Sequence, residues 1–342
     1  IAPIAIIAAI LVLTPSKYAY DSSPLIELVA QNLIVDNPGT IPLDQISNNE
    51  GDKILDIDVG IDKPNFIIIM LESISAEHMP YYGYERDITP NIDSFAEKSI
   101  VFNKSYSTAS HSDYAQTSFL SARYTLVNPY RNFFDQNYPR SFLWDVLKEE
   151  NYTTAYISSQ DDEWADMINY YNKNTLDTYE YSLSDGKWDY GGGNARKDYD
   201  EVTASRILEW FNETLFKSEK INKSDNTTEL IVSRSEDPFF LYINLQATHY
   251  PYEYPENNSI FVPDNPSGRT SYFNIGRGDY NKSVNDYDNS IYYVDKQVGR
   301  LLDYLESEGF LNDSIVVVTS DHGEILERRH KNLRHGFGVY DE

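Results

Sequence analysis

The chain has 342 residues, and 41% of them are hydrophobic, which is enough to build the core of one large α/β domain or of two ordinary ones. Lys and Arg together number 28 against 54 Asp and Glu, so the net charge of −26 argues against nucleic acid as a partner and against unaided attraction to anionic lipid. The lack of cysteine excludes a disulfide framework, a thiolate ligand and a cysteine nucleophile.

The N-terminal segment, residues 1–14, is apolar and uncharged but shorter than the ~20 residues of a membrane span. It could be a signal-peptide core, a buried helix or the end of a transmembrane helix, and the lack of a preceding basic segment favours the last. Residues 15–63 are polar and contain turn signals, as expected of a juxtamembrane linker before a domain at 64–342. The chain starts without methionine and stops inside a continuing pattern, so we expect an internal fragment whose domain is incomplete at its C-terminal end.

The first strong element is Asn65–Leu71, a continuous apolar run of strand length that is typical of a central strand covered on both faces. Glu72 follows at once. A carboxylate directly after a buried strand is costly if it is left unpaired, so a metal ion or a cation is its natural partner. A glutamate that turns out into solvent is the alternative.

Two helices follow this strand. Thr89–Lys98 has a threonine in the capping position, proline at the first helical position and apolar residues at helical spacing. After a polar loop, residues 113–122 form a second helical pattern, which places Ser112 at or near its N-cap. Unpaired N–H groups and the positive end of the helix dipole favour an anionic group there, although a simple capping role would also explain a serine.

The remaining elements alternate between strand and helix patterns. Residues 217–237 read as a surface loop, and His249 lies on the loop that follows an apolar run. This alternation predicts an α/β fold, a doubly wound and mainly parallel sheet with helices on both faces. The patterns predict helices at 141–150, 201–216 and 286–308 and strands at 153–158, 239–245 and 314–320.

The last strand runs into Asp321 and His322 within the stretch Val316–Glu324. In an open α/β sheet the ligand crevice lies beyond the carboxyl ends of the strands, so a carboxylate and an imidazole emerging there are well placed to hold a divalent metal. An Asp-His-Gly sequence alone is often only a turn after a strand.

Asn-X-Ser/Thr sequons give mild support for an extracytoplasmic glycoprotein, since several arise by chance in a chain rich in asparagine and serine. The eight sequons begin at Asn103, Asn151, Asn212, Asn222, Asn226, Asn257, Asn281 and Asn312.

Over roughly residues 64–342 the chain resembles the sulfatase and alkaline-phosphatase superfamily. The resemblance rests on six blocks in the family order, and it implies an alkaline-phosphatase-like fold. The blocks are Phe66–Glu72, His78 to Asn91 with Tyr82-Gly-Tyr84, Ser105–Tyr124, Phe239–Pro251, Tyr287–Glu324, and His335-Gly336 with Tyr340-Asp-Glu342.

The resemblance implies roles for single residues. Glu72, Asp321 and His322 would be ligands of one divalent metal ion, and Ser112 would be the nucleophile and a further ligand. An oxygen-rich site with one imidazole suits Mn, Mg, Ca or Zn, and the ligand types do not choose among them. Such an ion lowers the pKa of a coordinated hydroxyl, which would turn a weakly acidic serine into a nucleophile.

The resemblance also implies that His249 and His335 donate to the anionic ester or to its leaving group. The substrate would be a phosphate or sulfate ester, with a lipid-linked or glycan substrate among the candidates. The natural substrate, the metal and the acceptor, water or an alcohol, stay open.

The chain departs from true sulfatases at informative places. Sulfatases oxidise a cysteine or serine in a C/S-x-P-S-R motif to formylglycine, whereas residues 112–116 read Ser-Asp-Tyr-Ala-Gln. The usual pair of adjacent acids on the first strand is replaced by Glu72-Ser73, and a substrate-binding lysine is replaced by Ser158-Ser-Gln160. The pattern is closer to membrane-anchored transferases such as lipoteichoic acid synthase and the phosphoethanolamine transferases, which use an unmodified threonine as nucleophile.

We therefore expect a metal-dependent enzyme held at the cell membrane by its N-terminal helix, with an extracytoplasmic catalytic domain. It would transfer or hydrolyse a phosphoester through a covalent Ser112 intermediate. Sulfate-ester hydrolysis is the alternative within enzymes. A catalytically inactive surface protein that keeps the fold as a binding module is the alternative of another class.

Overall fold

The computed structural model describes residues 63–122, 141–164, 167–171, 173–182, 198–222, 228–266 and 280–324, together with residue 326. All of them belong to one unit, residues 61–342. The predicted transmembrane helix end, nearly all of the linker, and the block with His335 and Tyr340-Asp-Glu342 lie outside the described residues.

Seven strands are described, and five of them form the central sheet. Their order across this sheet is β3-β2-β6-β1-β7, and every neighbouring pair is parallel. The strands are β1 (Asn65–Leu71), β2 (Thr153–Ser158), β3 (Thr178–Glu180), β4 (Phe216–Asn222), β5 (Thr228–Arg234), β6 (Phe239–Leu245) and β7 (Ser314–Ser320).

The register of the sheet aligns the ends of three strands. Leu71, the last residue of β1, pairs with Leu245 of β6 on one side and with Ser320 of β7 on the other. Because all three strands run in the same direction, the residues that follow them leave the sheet at one edge. Chain segments far apart in sequence are thereby brought to one place.

Helices cover both faces of the sheet. On one face, Ile67 and Ile69 of β1 pack in a core with Leu241 and with the helices Asp200–Trp210 and Tyr280–Ser307. On the other face, Met70 and Tyr242 pack in a second core with the helices Leu143–Glu149 and Met167–Tyr170. This arrangement confirms the predicted doubly wound fold. The helices are α1 (Pro90–Ala96), α2 (Ser112–Ser121), α3 (Leu143–Glu149), α4 (Met167–Tyr170), α5 (Asp200–Trp210) and α6 (Tyr280–Ser307).

Two predicted elements differ from the structure. Residues 217–237 do not form only a loop, because β4 and β5 pair as an antiparallel hairpin from Phe216↔Arg234 to Asn222↔Thr228. β4 consists mostly of polar and charged residues, and this composition indicates a loop rather than a strand. The helix predicted at 201–216 ends as an α-helix at Trp210 and continues as a π-helical turn, Phe211–Leu215.

Several short elements complete the described chain. Within this part of the chain, five 3₁₀ turns join the larger elements. They are Ala76–His78, Pro80–Tyr82, Lys173–Thr175, Glu256–Asn258 and Phe310–Asn312. Within the described ranges, no helix has both the length and the apolar character needed to cross a membrane.

Candidate active site

Three buried ligand groups meet at the carboxyl ends of β1 and β7. Glu72 directly follows β1, and Asp321 and His322 directly follow β7. A potential ligand atom from each residue lies within 4.8 Å of the other two, and all three residues are buried. The geometry follows from the sheet, since β1 and β7 are parallel neighbours whose last residues are paired.

Ser112 lies against this group. Its Oγ is 2.9 Å from both Oε1 and Oε2 of Glu72 and 3.0 Å from Nε2 of His322. Ser112 is the first residue of α2, and His111 takes the N-cap position, one residue before the predicted one. The hydroxyl therefore sits at the positive end of the helix dipole.

Ser73 ties the two strand ends together. Its Oγ donates to Oε1 of Glu72 at 2.7 Å, and its backbone N–H donates to Oδ1 of Asp321 at 2.9 Å. Its φ of +54° is a left-handed conformation that costs a non-glycine residue on the order of 1 kcal/mol. The hydroxyl of Tyr287 on α6 holds the turn by donating to the Ser73 carbonyl at 2.5 Å.

The backbone carbonyl of the next residue orients the ring of His322. Nδ1 lies 2.9 Å from the carbonyl oxygen of Gly323, and this contact requires a proton on Nδ1. In the neutral ring, the lone pair of Nε2 then faces the group. Nε2 lies 3.4 Å from Oε1 of Glu72 and 3.7 Å from Oδ2 of Asp321.

The electrostatics of the group favour a cation. Burial and the neighbouring charge of Glu72 raise the pKa of the Asp321 carboxyl. Burial acts to lower the pKa of His322, but the charges of Asp321 and Glu72 outweigh it, so the pKa is raised. Two buried carboxylates at this separation repel each other, and a positive charge between them relieves the repulsion.

The donor set fits a divalent metal ion. It offers two carboxylates, one imidazole whose other nitrogen is bonded to the backbone, and one hydroxyl. Metal-binding histidines ordinarily hold their second nitrogen in this way. Mn, Mg, Ca and Zn all accept such oxygen-rich sets, so the donors do not distinguish them.

Two glutamines contact the ligand carboxylates and were not predicted. Nε2 of Gln116 donates to Oδ2 of Asp321 at 3.0 Å, and Nε2 of Gln246 donates to Oε2 of Glu72 at 3.0 Å. A signal existed for both. Gln116 stands one helical turn after Ser112, and Gln246 directly follows β6.

The two predicted substrate histidines are placed differently. His249 lies on the loop after β6, and its Nδ1 is 2.6 Å from the carbonyl oxygen of Tyr250. Two other residues of this loop contact Glu72: Gln246 donates to its carboxylate, and the Thr248 hydroxyl donates to its carbonyl oxygen. His335 lies outside the described residues.

A third histidine, His111, stands directly before Ser112 and was missed. Nδ1 of His111 is 2.6 Å from Oδ1 of Asp113, and the ring stacks on Trp164 with centroids 5.3 Å apart. The side chain is 36% exposed, so it is accessible from the crevice or the surface. Its place immediately before Ser112 was the available signal.

The family model described as Sulfatase matches residues 64–340. The chain belongs to the Sulfatase family. This membership confirms the resemblance expected from the ordered blocks. Among curated relatives, the Escherichia coli K12 protein named Uncharacterized sulfatase YidJ is 24% identical over 318 residues, covering 82% of this chain. The chain spans 61% of the length of that relative.

Solved structures show the same fold. The lipoteichoic acid synthase LtaP from Listeria monocytogenes superposes with a TM-score of 0.57 at 19% identity, covering 80% of this chain and 60% of LtaP. The C-terminal periplasmic domain of EcEptC from Escherichia coli, in complex with Zn, has a TM-score of 0.54 at 20% identity, covering 82% of this chain and 70% of that domain. This chain is thus similar in sequence to a protein named as a sulfatase and similar in fold to a lipoteichoic acid synthase.

Proposed function

We propose that this chain belongs to a membrane-anchored, metal-dependent enzyme that transfers or hydrolyses a phosphate ester outside the cytoplasm through a covalent Ser112 intermediate. The observation that carries the proposal is the position of Ser112 Oγ, 2.9 Å from the Glu72 carboxylate and 3.0 Å from His322 Nε2. A hydroxyl at a helix N-terminus, inside a buried ligand group, is placed to act as a nucleophile.

The residues of the site supply most of the chemistry. The Ser112 hydroxyl donates to Glu72, so its proton has an acceptor as Oγ attacks phosphorus. The Oγ–P bond forms, the ester P–O bond breaks, and the leaving alcohol departs with the bonding electron pair and takes up a proton. Water or an alcohol then attacks phosphorus, the Oγ–P bond breaks with its electron pair on Oγ, and the proton of the attacking group passes to Oγ, which restores the serine. A divalent ion, when bound, neutralises charge on the phosphoryl oxygens and lowers the pKa of a hydroxyl that it contacts.

The site residues have distinct proposed roles. Glu72, Asp321 and His322 hold the metal, with Ser112 as a further ligand, and the complex of EcEptC with Zn supports metal binding by a protein of this fold. His249 is proposed to donate to the ester or its leaving group, and His335 is proposed for the same role from the sequence.

Phosphate esters are favoured over sulfate esters by the residues around the nucleophile. Residues 112–116 lack the signal for formylglycine formation, and Gln116 donates to Asp321 where the sulfatase motif has arginine. The likeness to LtaP supports transfer, with a lipid-linked or glycan substrate as the candidate class. Sulfate-ester hydrolysis remains the second candidate, because the sulfatase relative from Escherichia coli matches most of this chain.

The similarity to the periplasmic domain of EcEptC and the apolar residues 1–14 support an extracytoplasmic domain with a membrane anchor. A fusion of a topology reporter to the full-length protein tests the location. Reporter activity only on the cytoplasmic side would contradict it.

The covalent mechanism is tested with the full-length protein, MnCl₂ and bis-p-nitrophenyl phosphate. We expect Ser112→Ala to lower kcat/KM by roughly 10³-fold or more, because the nucleophile is removed. Ser112→Thr, the matched control, keeps a hydroxyl and should retain measurable activity. Mass spectrometry should find a phosphoryl group on the wild-type Ser112 peptide.

Other outcomes would replace this mechanism. Full activity of Ser112→Ala would show that no covalent Ser112 intermediate is needed. Formylglycine at position 112 together with p-nitrophenyl sulfate hydrolysis would establish the sulfatase alternative. A folded full-length protein that binds no divalent ion would point to the inactive binding module.

A further inference from the structure

The two ligand carboxylates are joined by a chain of buried side-chain amides, Gln116, Asn244 and Gln246, here called the amide bridge. Gln116 Nε2 donates to Oδ2 of Asp321, and Gln246 Nε2 donates to Oε2 of Glu72, each at 3.0 Å. Asn244 lies between them, donating to Gln116 Oε1 at 3.3 Å and accepting from Gln246 Nε2 at 3.2 Å. All three residues of the bridge are buried.

The orientation of the Gln116 amide is fixed by its other contacts. Its Oε1 accepts from the hydroxyl of Tyr242 at 3.2 Å and from Nδ2 of Asn244. A flipped amide would turn two donors toward an NH₂ group and turn its own oxygen toward the Asp321 carboxylate. The network therefore holds Nε2, and not Oε1, against Oδ2 of Asp321.

Gln246 is fixed through its backbone. Asp200, at the start of α5, accepts from the backbone N–H of Gln246 at 2.8 Å and from that of Ala247 at 2.9 Å. Asp200 is itself fully buried. The turn after β6 is therefore anchored to α5, and the Gln246 side chain reaches Glu72 from a fixed position.

The bridge orients the carboxylates without neutralising them. The two glutamine amides donate to Glu72 and Asp321 without carrying a charge. Neutral amides keep both charges and hold one lone pair of each carboxylate, which leaves other lone pairs for a metal.

We propose that Gln116 and Gln246, linked through Asn244, are positioning residues that set the metal affinity of the Glu72, Asp321 and His322 group. This inference rests on the proposed metal-dependent function. Its test reads metal affinity rather than turnover, so it can fail independently of the covalent mechanism. Residues that orient metal ligands in this way typically affect affinity by about 10- to 100-fold.

The experiment is calorimetric titration of the metal-free full-length protein with MnCl₂ and, separately, with ZnCl₂. We expect Gln116→Leu and Gln246→Leu to weaken binding about 10- to 100-fold. The matched control is Gln297→Leu, because Gln297 is a buried glutamine on α6 that has no described hydrogen bond to the amide bridge, Glu72 or Asp321. Binding to this control should change by less than about threefold.

A charge-introducing variant adds a second readout. Gln116→Lys brings an ammonium to Asp321 and should weaken binding more than Gln116→Leu does, since the ammonium competes for the same negative charge. Thermal unfolding of each metal-free variant identifies those that fold, and affinities are compared among those.

Three results would overturn the inference: wild-type affinity in Gln116→Leu and Gln246→Leu, an equal loss in the Gln297→Leu control, or no metal binding by the wild-type protein. Loss of the covalent intermediate with the affinity pattern intact would instead overturn only the proposed mechanism. The two conclusions are therefore separable by experiment.

Discussion

At the scale of single residues, the candidate metal group brings like charges together in a buried site. Glu72 and Asp321 place two like charges in a buried site, and the charge of Glu72 helps to raise the Asp321 pKa. Groups arranged to bind a cation lower the stability of the metal-free protein, as binding sites commonly do. Removing one of these charges should therefore stabilise the metal-free protein and reduce the stabilisation that bound metal provides.

Glu72→Gln should make the metal-free protein more stable by on the order of 1 kcal/mol and remove its stabilisation by metal. The hydroxyls of Ser73 and Ser112 can rotate to accept from the new amide, and its oxygen can still accept from Gln246. Urea unfolding in EDTA and in excess MnCl₂ measures both effects. The wild-type protein should gain about 2.7 kcal/mol at 100 times the dissociation constant, and an equal gain in the variant would contradict the assignment of Glu72.

Asp162 provides a pH dependence away from the metal group. This buried carboxyl accepts from the hydroxyls of Tyr156 at 3.1 Å and Tyr179 at 2.6 Å, and burial raises its pKa to about 7. Because the folded state then binds more protons than the unfolded state between about pH 4 and 7, stability should fall as pH rises through that window.

Asp162→Asn should remove this fall, on the order of 3 kcal/mol between pH 4.5 and 8. Urea unfolding at several pH values measures the difference between variant and wild type, in which other titrating groups cancel. The exposed Asp303 on α6 supplies the control substitution, Asp303→Asn. Parallel pH profiles for Asp162→Asn and wild type would show that the Asp162 pKa is not raised.

At the scale of elements, α6 fixes the N-terminus of α1. The sequence predicts Thr89 as the cap, but its hydroxyl donates to the Asp93 side chain. The first N–H groups of α1 are bonded instead by Asp295 of α6, which accepts from Asn91 at 3.1 Å and Ile92 at 2.8 Å. A cap supplied by a distant helix has no local sequence signal.

Gly299 allows α6 to approach α1 closely enough for this contact. A Cβ at this position would lie 2.5 Å from Cγ of Asn91. Gly299→Ala should therefore destabilise the protein by about 1–2 kcal/mol, although alanine favours helices by about 1 kcal/mol over glycine. Chemical denaturation measures the change, and Glu306→Ala on the exposed side of α6 should stay within about 0.5 kcal/mol of wild type. A stabilising Gly299→Ala would show that propensity outweighs packing here.

Prediction from sequence succeeded where a residue's neighbours along the chain determine its structure. The apolar runs of β1 and β6 match their predicted bounds, because strands buried on both faces need continuous hydrophobic residues. It failed for the β4–β5 hairpin, because the first of these strands consists mostly of polar and charged residues. In the site, the acidic and histidine residues at strand ends stood out, whereas the role of Gln116 and Gln246 depends on which carboxylate the fold brings near them.

At the scale of the whole molecule, the residues of the candidate metal group follow two neighbouring strands rather than lying on a single loop. Glu72 comes from β1 and His322 from β7, so a bound metal would bridge two neighbouring strands. Ligand binding stabilises the regions it links against local opening.

Hydrogen exchange should report this coupling. Adding MnCl₂ to the full-length protein should slow exchange of backbone amides in β1 and β7, including Ser73, whose N–H donates to Asp321. The β4–β5 hairpin serves as the internal control, since it pairs only with itself in the described sheets. Mass spectrometry of the exchanged peptides measures both, and uniform slowing in all segments would contradict a local metal link.

The central place of β1 in the sheet also bears on biosynthesis. β1 has β6 on one side and β7 on the other, so both of its partners are made long after it. At about 5–20 residues per second, Glu72 leaves the ribosome tens of seconds before His322 does. Until β6 has been made, the growing chain carries an apolar strand with both edges unpaired, which is the kind of surface that aggregates or recruits chaperones. The candidate metal group can form only after β7 has also been made.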